Sequence, residues 1–316
     1  MLLDFVYSTK LKWFGPYNFH LTAACYAMPY EYDGEHAYIV LSYDDYPVVV
    51  KLSLSNSLIK ADVYSVSHDS TLIESAIRDT EFIMGLKEDL TEFYELCRGD
   101  PLLDPLSKNL YGIHMRGVQN LWQGVLISIS QQNASFKQGW RMLSLIRKNL
   151  GEEVRIPKCD AVFYTYPTPR TIIERSKSLR RCGVGYREKT FLNAAKAFIR
   201  EEEPDLLEIK GIGQYSARLA KVLGKRDYRE FPVDRWFATL IPRVYAGEEK
   251  WSIKKVEEFA KKKWGQWAGL VAIMITIITA AKPIGNLLNM LGKGKQLDSF
   301  PNEAAPLTLW KHGLGV

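Results

Sequence analysis

Several things are scarce in these 316 residues, and each scarcity excludes a class of protein. There are four cysteines, Cys25, Cys97, Cys159 and Cys182, and they stand far apart. They form neither a CxxC zinc pattern nor a closely spaced four-cysteine iron–sulfur pattern, so they are expected to be isolated thiols in a reducing compartment. Long apolar runs are also missing. The longest, Gly269–Ala281, falls short of the roughly 20 residues of a membrane span and predicts a buried helix instead. The N-terminal stretch lacks the basic head, apolar middle and small-residue cleavage site of a secretory signal. A place inside the cell is therefore expected, with no membrane partner. Tandem repeats and low-complexity linkers are absent as well.

What remains is ordinary globular composition, 47% hydrophobic and 25% charged, with enough chain for a sizeable core. The formal net charge is +6 and the sequence pI is about 8.9. The excess is concentrated between Glu174 and Arg200. Eight basic residues there (Arg175, Lys177, Arg180, Arg181, Arg187, Lys189, Lys196 and Arg200) face two acidic ones (Glu174 and Glu188), a net of +6. A basic stretch of this kind suits a polyanion partner or, equally, a solvated helical face.

The chain changes character along its length. Tyr17–Ala27, His36–Tyr43, Tyr46–Leu54 (after an Asp44-Asp45 break) and a weaker run to Val66 read as antiparallel strands, with Asp33-Gly34 as a turn. From Thr71 the period becomes helical. Beyond Leu110 almost no strand signal is left. Helices are predicted at Val118–Ser130, Ser135–Asn149, Pro169 to near Cys182, Arg187–Arg200, Gln214–Leu223, Asp234–Val244, Ser252–Trp264 and Trp267–Ala281. The fold class is accordingly α+β: a small antiparallel β-rich N-terminal domain (residues 1–70), a large all-helical body (71–282) and a weakly patterned C-terminal extension (283–316).

The most informative segment is LLEIKGIGQYSARLAKVLGKRDYREFPVDRW, Leu206 to Trp236. A short helix to Lys210 is followed by the turn Gly211-Ile212-Gly213 and at once by a second helix beginning at Gln214. Ile212 would plug between the two helices. The free amides at the start of the second helix would face outward with the helix dipole behind them, an anion site suited to a phosphate and blind to base sequence. Asp234 follows Gly213 by 21 residues in a Pro232-Val233-Asp234 loop. It can serve either as a helix N-cap or as a catalytic carboxylate, and the two roles are compatible.

This segment resembles the helix-hairpin-helix–Gly/Pro–Asp motif of the DNA glycosylase superfamily. Three further stretches are similar to the same superfamily in the same order: ISQQNASFKQGWRML (Ile129–Leu143), RCGVGYREKTFLNAAKAF (Arg181–Phe198) and WGQWAGLVAIMI (Trp264–Ile275). Together they cover roughly Leu110–Ala281. The resemblance is to the 3-methyladenine glycosylase II and 8-oxoguanine branches, which carry an extra N-terminal domain.

The resemblance implies a base-excision repair enzyme that binds double-stranded DNA as a monomer, flips out a damaged base and cuts its glycosidic bond with Asp234. Gly211, Ile212, Gly213 and Gln214 would hold the DNA backbone. Tyr215, Trp236, Ala272 and Thr276 would form the base pocket. Gln131, Gln132 and Asn133, with Tyr186 and Arg187, would wedge the opened duplex and touch the opposite strand. Bifunctional members carry a lysine where this chain has Tyr215. A monofunctional enzyme acting on an alkylated base is therefore expected, with an 8-oxoguanine or deaminated-base enzyme with lyase activity, or a non-catalytic DNA-binding protein, as the alternatives. No cofactor or iron–sulfur cluster is expected, save a monovalent cation on the carbonyls of the hairpin turn.

Overall fold

The computed structural model describes residues 1–43 and 46–315, so the Asp44-Asp45 break lies outside the described residues. The N-terminal part is a four-stranded antiparallel sheet of β1 (Asp4–Leu11), β2 (Ala37–Tyr43), β3 (Tyr46–Ser55) and β4 (Leu58–Ser65), with α1 (Phe19–Ala24) between the first two strands. The strand order is β1-β4-β3-β2. Pairs such as Ile39 with Val50 and Val50 with Val63 set the register.

The run Val48-Val49-Val50 is apolar at consecutive positions because both faces of the sheet are covered. Val48 and Val50 face Ala76, Ile83 and Met84 of α2 (Ser70–Met84), and this core runs on to Leu86. Val49 faces Leu3, Val154 and Phe163. The aromatic stretch Tyr17–Ala27, expected to be a strand, is instead the site of α1. Asn18 caps it by accepting from the Leu21 amide at 3.1 Å, and Thr22, Ala23 and Ala24 are small enough to bury against the sheet.

The helical body follows: α3 (Thr91–Cys97), α4 (Leu121–Gln131) and α5 (Phe136–Leu150). Then come a two-stranded ribbon, β5 (Glu153–Val154) and β6 (Phe163–Tyr164), and the helices α6 (Pro169–Glu174), α7 (Ser176–Arg180), α8 (Glu188–Arg200), α9 (Gln214–Lys225), α10 (Phe237–Tyr245), α11 (Ile253–Trp264), α12 (Ala268–Ile278) and α13 (Ile284–Gly292). The helix expected from Pro169 is broken at Arg175 into α6 and α7. Thr168 does cap its start, ahead of a proline at the first helical position.

The apolar run Gly269–Ala281 is largely α12, buried almost throughout; among the described residues no helix is long and apolar enough to cross a membrane. Two glycines let α4 and α9 touch along their backbones. A Cβ at Gly124 would stand 2.5 Å from the Ala220 carbonyl, and one at Gly224 would stand 2.6 Å from the Asn120 carbonyl. This close approach fixes α9, and hence its N-terminus, against the helix that ends at Gln131. The C-terminal stretch returns to the same core: Leu307, Leu309 and Leu314 are buried in it, and the Pro306 carbonyl accepts from the Tyr26 amide at 2.7 Å.

Candidate active site

The hairpin is built as its sequence suggests at its second helix but not at its first. Residues Leu206–Glu208 make only one 3₁₀ turn, capped by Asp205, where a short helix was expected. Ile212 is buried in the body's core, while Gly211, Gly213 and Gln214 are exposed. The two glycines differ. Gly211 has φ +103°, and a Cβ there would meet Thr190 Oγ1 at 2.3 Å, so the fold itself requires glycine. Gly213 has φ −99° and ψ 178°, ordinary extended backbone, and a Cβ there would meet nothing within 4 Å. Of the two, only Gly211 takes a left-handed angle. Gly213 leaves open space directly before the unpaired amides of the first turn of α9.

Two carbonyls at this turn accept side-chain hydrogen bonds. Lys210 accepts from Asn193 Nδ2 at 3.0 Å, and Gly211 accepts from Gln132 Nε2 at 3.0 Å. Among the described residues no group of three or more histidine, cysteine, aspartate or glutamate side chains converges as metal ligands.

The expected wedge residues divide into braces and free groups. Gln132, expected to fill the opened duplex, is tied to the hairpin through Gly211 and also donates to Ser216 Oγ at 3.0 Å. Arg187, expected on the opposite strand, is buried. Its Nε donates to the Gln132 carbonyl at 2.9 Å, its Nη2 donates to the same oxygen, and its guanidinium lies 4.6 Å from the centre of the Tyr186 ring. Gln131 turns inward, as described below. Asn133 and Tyr186 remain outside: Tyr186 is 62% exposed, Asn133 sits at φ +45°, and Asn133 Nδ2 donates to Tyr186 Oη at 3.1 Å. The other seven basic residues of the 174–200 stretch are exposed as well, with Arg180 paired to Glu188 at 2.7 Å.

Asp234 stands at the start of α10. Its Oδ1 accepts from the Phe237 amide at 3.0 Å and its carbonyl from the Ala238 amide at 3.0 Å, so it caps this helix. Burial pushes its carboxyl above the usual aspartate range, against the Phe237 and Trp236 amides that favour the charged form. No lysine or arginine pairs with it among the described residues. Burial, and then the Asp234 charge, raise the hydroxyl of Tyr215 on α9.

Tyr215 is also a wall of a cavity of about 120 Å³ that runs between the sheet domain and the helical body. Its other aromatic walls are Tyr26, Phe136, Trp140 and Tyr166. Tyr26 stacks on Trp140 at 5.5 Å and 27°, in a backbone conformation with φ +53° that the Pro306 carbonyl helps to hold. Ile273 and Thr276 of α12 line the cavity too.

Of the four expected pocket residues, Tyr215 and Thr276 are present in its wall. Ala272 is buried one position away from Ile273 and does not reach it. Trp236 does not reach it either: its Nε1 donates to the Lys282 carbonyl at 2.9 Å and its ring packs edge-on against Phe237.

The polar end of the cavity was not foreseen. Glu31 and Arg116 line it, and Arg147 stands behind Tyr166 with its guanidinium 4.4 Å from the ring centre. Arg147 Nη1 lies 2.5 Å from Glu31 Oε1, and Arg116 Nη2 lies 3.3 Å from Glu31 Oε2. Burial alone would raise the Glu31 carboxyl, but Arg147 and Arg116 hold it below its ordinary value. Of these missed residues only Phe136 and Trp140 carried a usable signal. They are an aromatic pair four apart at the start of α5, inside the segment already singled out.

No model of a known protein family matches the chain. The DNA-3-methyladenine glycosylase of Bacillus subtilis strain 168 is 22% identical over 228 residues, covering 65% of this chain and 73% of that protein. The 3-methyladenine DNA-glycosylase of Archaeoglobus fulgidus superposes with a TM-score of 0.69 at 21% identity, covering 85% of this chain and 96% of its own. The 8-oxoguanine glycosylase/lyase of Clostridium acetobutylicum, solved with double-stranded DNA holding cytosine opposite 8-oxoguanine, gives a TM-score of 0.58 at 17% identity, covering 81% and 88%. The chain's structural neighbours are helix-hairpin-helix DNA glycosylases of both the 3-methyladenine and the 8-oxoguanine kinds, and it has their fold.

Proposed function

We propose that this protein is a monofunctional DNA glycosylase of base-excision repair. It extrudes an alkylated base from double-stranded DNA and hydrolyses the N-glycosidic bond with water. It works as a monomer in the compartment that holds the chromosome. The observation that carries this reading is the state of Asp234: a desolvated carboxylate that caps α10 with no cation paired to it, whose charge is felt at Tyr215 in the wall of an aromatic cavity.

Breaking the glycosidic bond builds positive charge on the deoxyribose, and an uncompensated carboxylate nearby stabilises that charge or takes a proton from the attacking water. The open backbone at Gly213 admits a phosphate to the amides of α9, and the exposed basic stretch around α7 and α8 supports the duplex. Asn133 and Tyr186, bonded to each other and exposed, are placed to occupy the space that the extruded base leaves. The electron-rich walls favour a base carrying positive charge. Two arginines at the polar end are balanced by Glu31 inside and by Asp234 beside Tyr215, so the surroundings do not repel such a base.

The reading has a direct test. Wild-type protein should release an alkylated base from duplex DNA and leave the strand intact until alkali or heat is applied. Asp234→Asn should bind the same duplex and release base about two to three orders of magnitude more slowly. Immediate strand scission with a borohydride-trapped adduct would show a lyase and overturn the water mechanism. Full turnover in a folded Asp234→Asn protein would remove Asp234 from the catalysis, and wild-type protein that binds the duplex but releases no base would leave only a DNA-binding role.

A further inference from the structure

The charged groups that line the cavity, and the Thr276 hydroxyl, are already engaged. Glu31 is bonded by Arg147 and by the Met28 amide and paired with Arg116. Arg116 spends its guanidinium on the Ala23, Glu31 and Tyr38 carbonyls, and Thr276 donates to the Ala272 carbonyl. Gln131, the last residue of α4, stands apart from these. It lines the cavity, and its Nε2 is buried with no hydrogen-bond partner among the described residues. Buried amide donors are almost always paired, because leaving one unpaired forfeits its hydration for nothing in return.

A second observation shows that this placement is built. The Gln131 carboxamide lies across Gly139 of α5, where a Cβ would stand 2.4 Å from Oε1, 2.5 Å from Cδ and 2.6 Å from Nε2. Glycine inside a helix is less stable than alanine, so α5 gives up stability at the position that makes room for this side chain. Gln132, the next residue, is fully used in bracing the hairpin. The two adjacent glutamines therefore have different work: one braces, and the other presents a free donor to the cavity.

We propose that Gln131 is a specificity-determining residue. Its carboxamide donates a hydrogen bond to an acceptor on the ring edge of the extruded base, a ring nitrogen or a carbonyl. The cavity then selects by an acceptor as well as by stacking, and purine-like bases that present one are preferred over bases that present only donors or C–H at that edge. This inference rests on the glycosylase reading above.

Gln131→Met keeps the length and volume of the side chain and removes the donor. Its thermal midpoint should be unchanged or higher, since an unpaired buried donor is gone. Its affinity for undamaged duplex should equal that of wild type. Its kcat/KM for release of a methylated purine should fall about ten- to a hundredfold. Calorimetric titration with free 3-methyladenine and its deaza analogues, each lacking one ring acceptor, gives the sharper readout. Wild-type protein should bind at least one analogue about tenfold more weakly than the parent base, and Gln131→Met should bind all of them alike. Gln131→Glu, which keeps the shape but cannot donate when ionised, should lose the same discrimination.

A Gln131→Met protein that still discriminates among the analogues overturns the proposal. So does a lowered midpoint with an equal loss across all bases, which is the signature of a packing role. Release by wild type with unchanged selectivity in the variant overturns this inference alone. Wild-type protein that neither releases nor binds any base removes the glycosylase reading, and this inference with it.

Discussion

Two carboxylates near one cavity are treated in opposite ways. Glu31, from the sheet domain, has Arg147 at 2.5 Å and Arg116 at 3.3 Å, and its carboxyl is held down. Asp234, from the helical body, has only backbone amides for company, and burial holds its carboxyl up. A buried charge normally needs a cation, because desolvation is otherwise unrecovered. Glu31 obeys that rule and ties the sheet domain to α5 and to the segment ahead of α4. Asp234 departs from it, and its negative charge stays available to a positive charge arriving with the substrate. In this molecule the compensated carboxylate holds the architecture and the uncompensated one carries the proposed chemistry.

The comparison is broken most severely at Glu31. Glu31→Gln leaves two buried guanidiniums without their counter-charge, and the loss should be about 3–5 kcal/mol of unfolding free energy at neutral pH. The sign with pH follows from the depressed carboxyl. Its contribution is fully present above the unfolded value and disappears as pH falls through the lower folded value. Urea unfolding of both proteins between neutral and acid pH should show the gap closing as the medium becomes more acid. A constant gap would mean that the residue acts by packing alone.

Asp234→Asn should do the reverse. The folded carboxyl lies above its unfolded value, so its stability contribution is present at low pH and is lost as pH rises from the unfolded value through the folded one. Above that window the ionised form burdens the fold. Asparagine removes the burden and keeps the cap on α10, so the thermal midpoint at neutral pH should equal or exceed that of wild type. Base release should fall by about two to three orders of magnitude, the range for losing a preorganised electrostatic group. A variant both less stable and fully active would make Asp234 a cap and nothing more.

These two residues were not equally legible. Asp234 could be found because everything that marks it is local: a glycine turn, an amphipathic helix and a Val-Asp loop within thirty residues. The same holds for the open start of α9. Glu31, Arg116, Arg147, Tyr26 and Tyr166 could not be found, because they meet across separations of up to 140 residues and no short spacing records the meeting. The partners of exposed-looking polar residues are hidden for the same reason. Gln132 and Arg187 look like free polar groups in sequence, but their partners sit on the hairpin and on the α4–α5 turn, so they brace that turn. In the fold, the strands from Ala37 to Ser65 and the long helices were readable from period. The α1 segment was not, because aromatic and small residues carry no strand or helix period over six positions.

The finest contrast is inside the hairpin, where neighbouring glycines separate the needs of the fold from those of the proposed ligand. Gly211→Ala places a methyl against Thr190 at a left-handed angle, and about 1–3 kcal/mol of stability should be lost. Gly213→Ala meets no protein atom and no forbidden angle, so stability should rise by about 0.4–1 kcal/mol through the unfolded chain's lost freedom. If the open space at Gly213 is where a phosphate approaches the first amides of α9, that same methyl stands in its way. Duplex affinity should then fall about tenfold, equivalent to about 1.4 kcal/mol, while the folded protein becomes slightly more stable. The slope of log affinity against log salt should shrink by about 0.9, the value for one phosphate contact. A Gly213→Ala protein with wild-type affinity and wild-type salt slope would show that the hairpin does not touch the DNA backbone, and the anchoring role would pass to the exposed arginines and lysines of the 174–200 stretch.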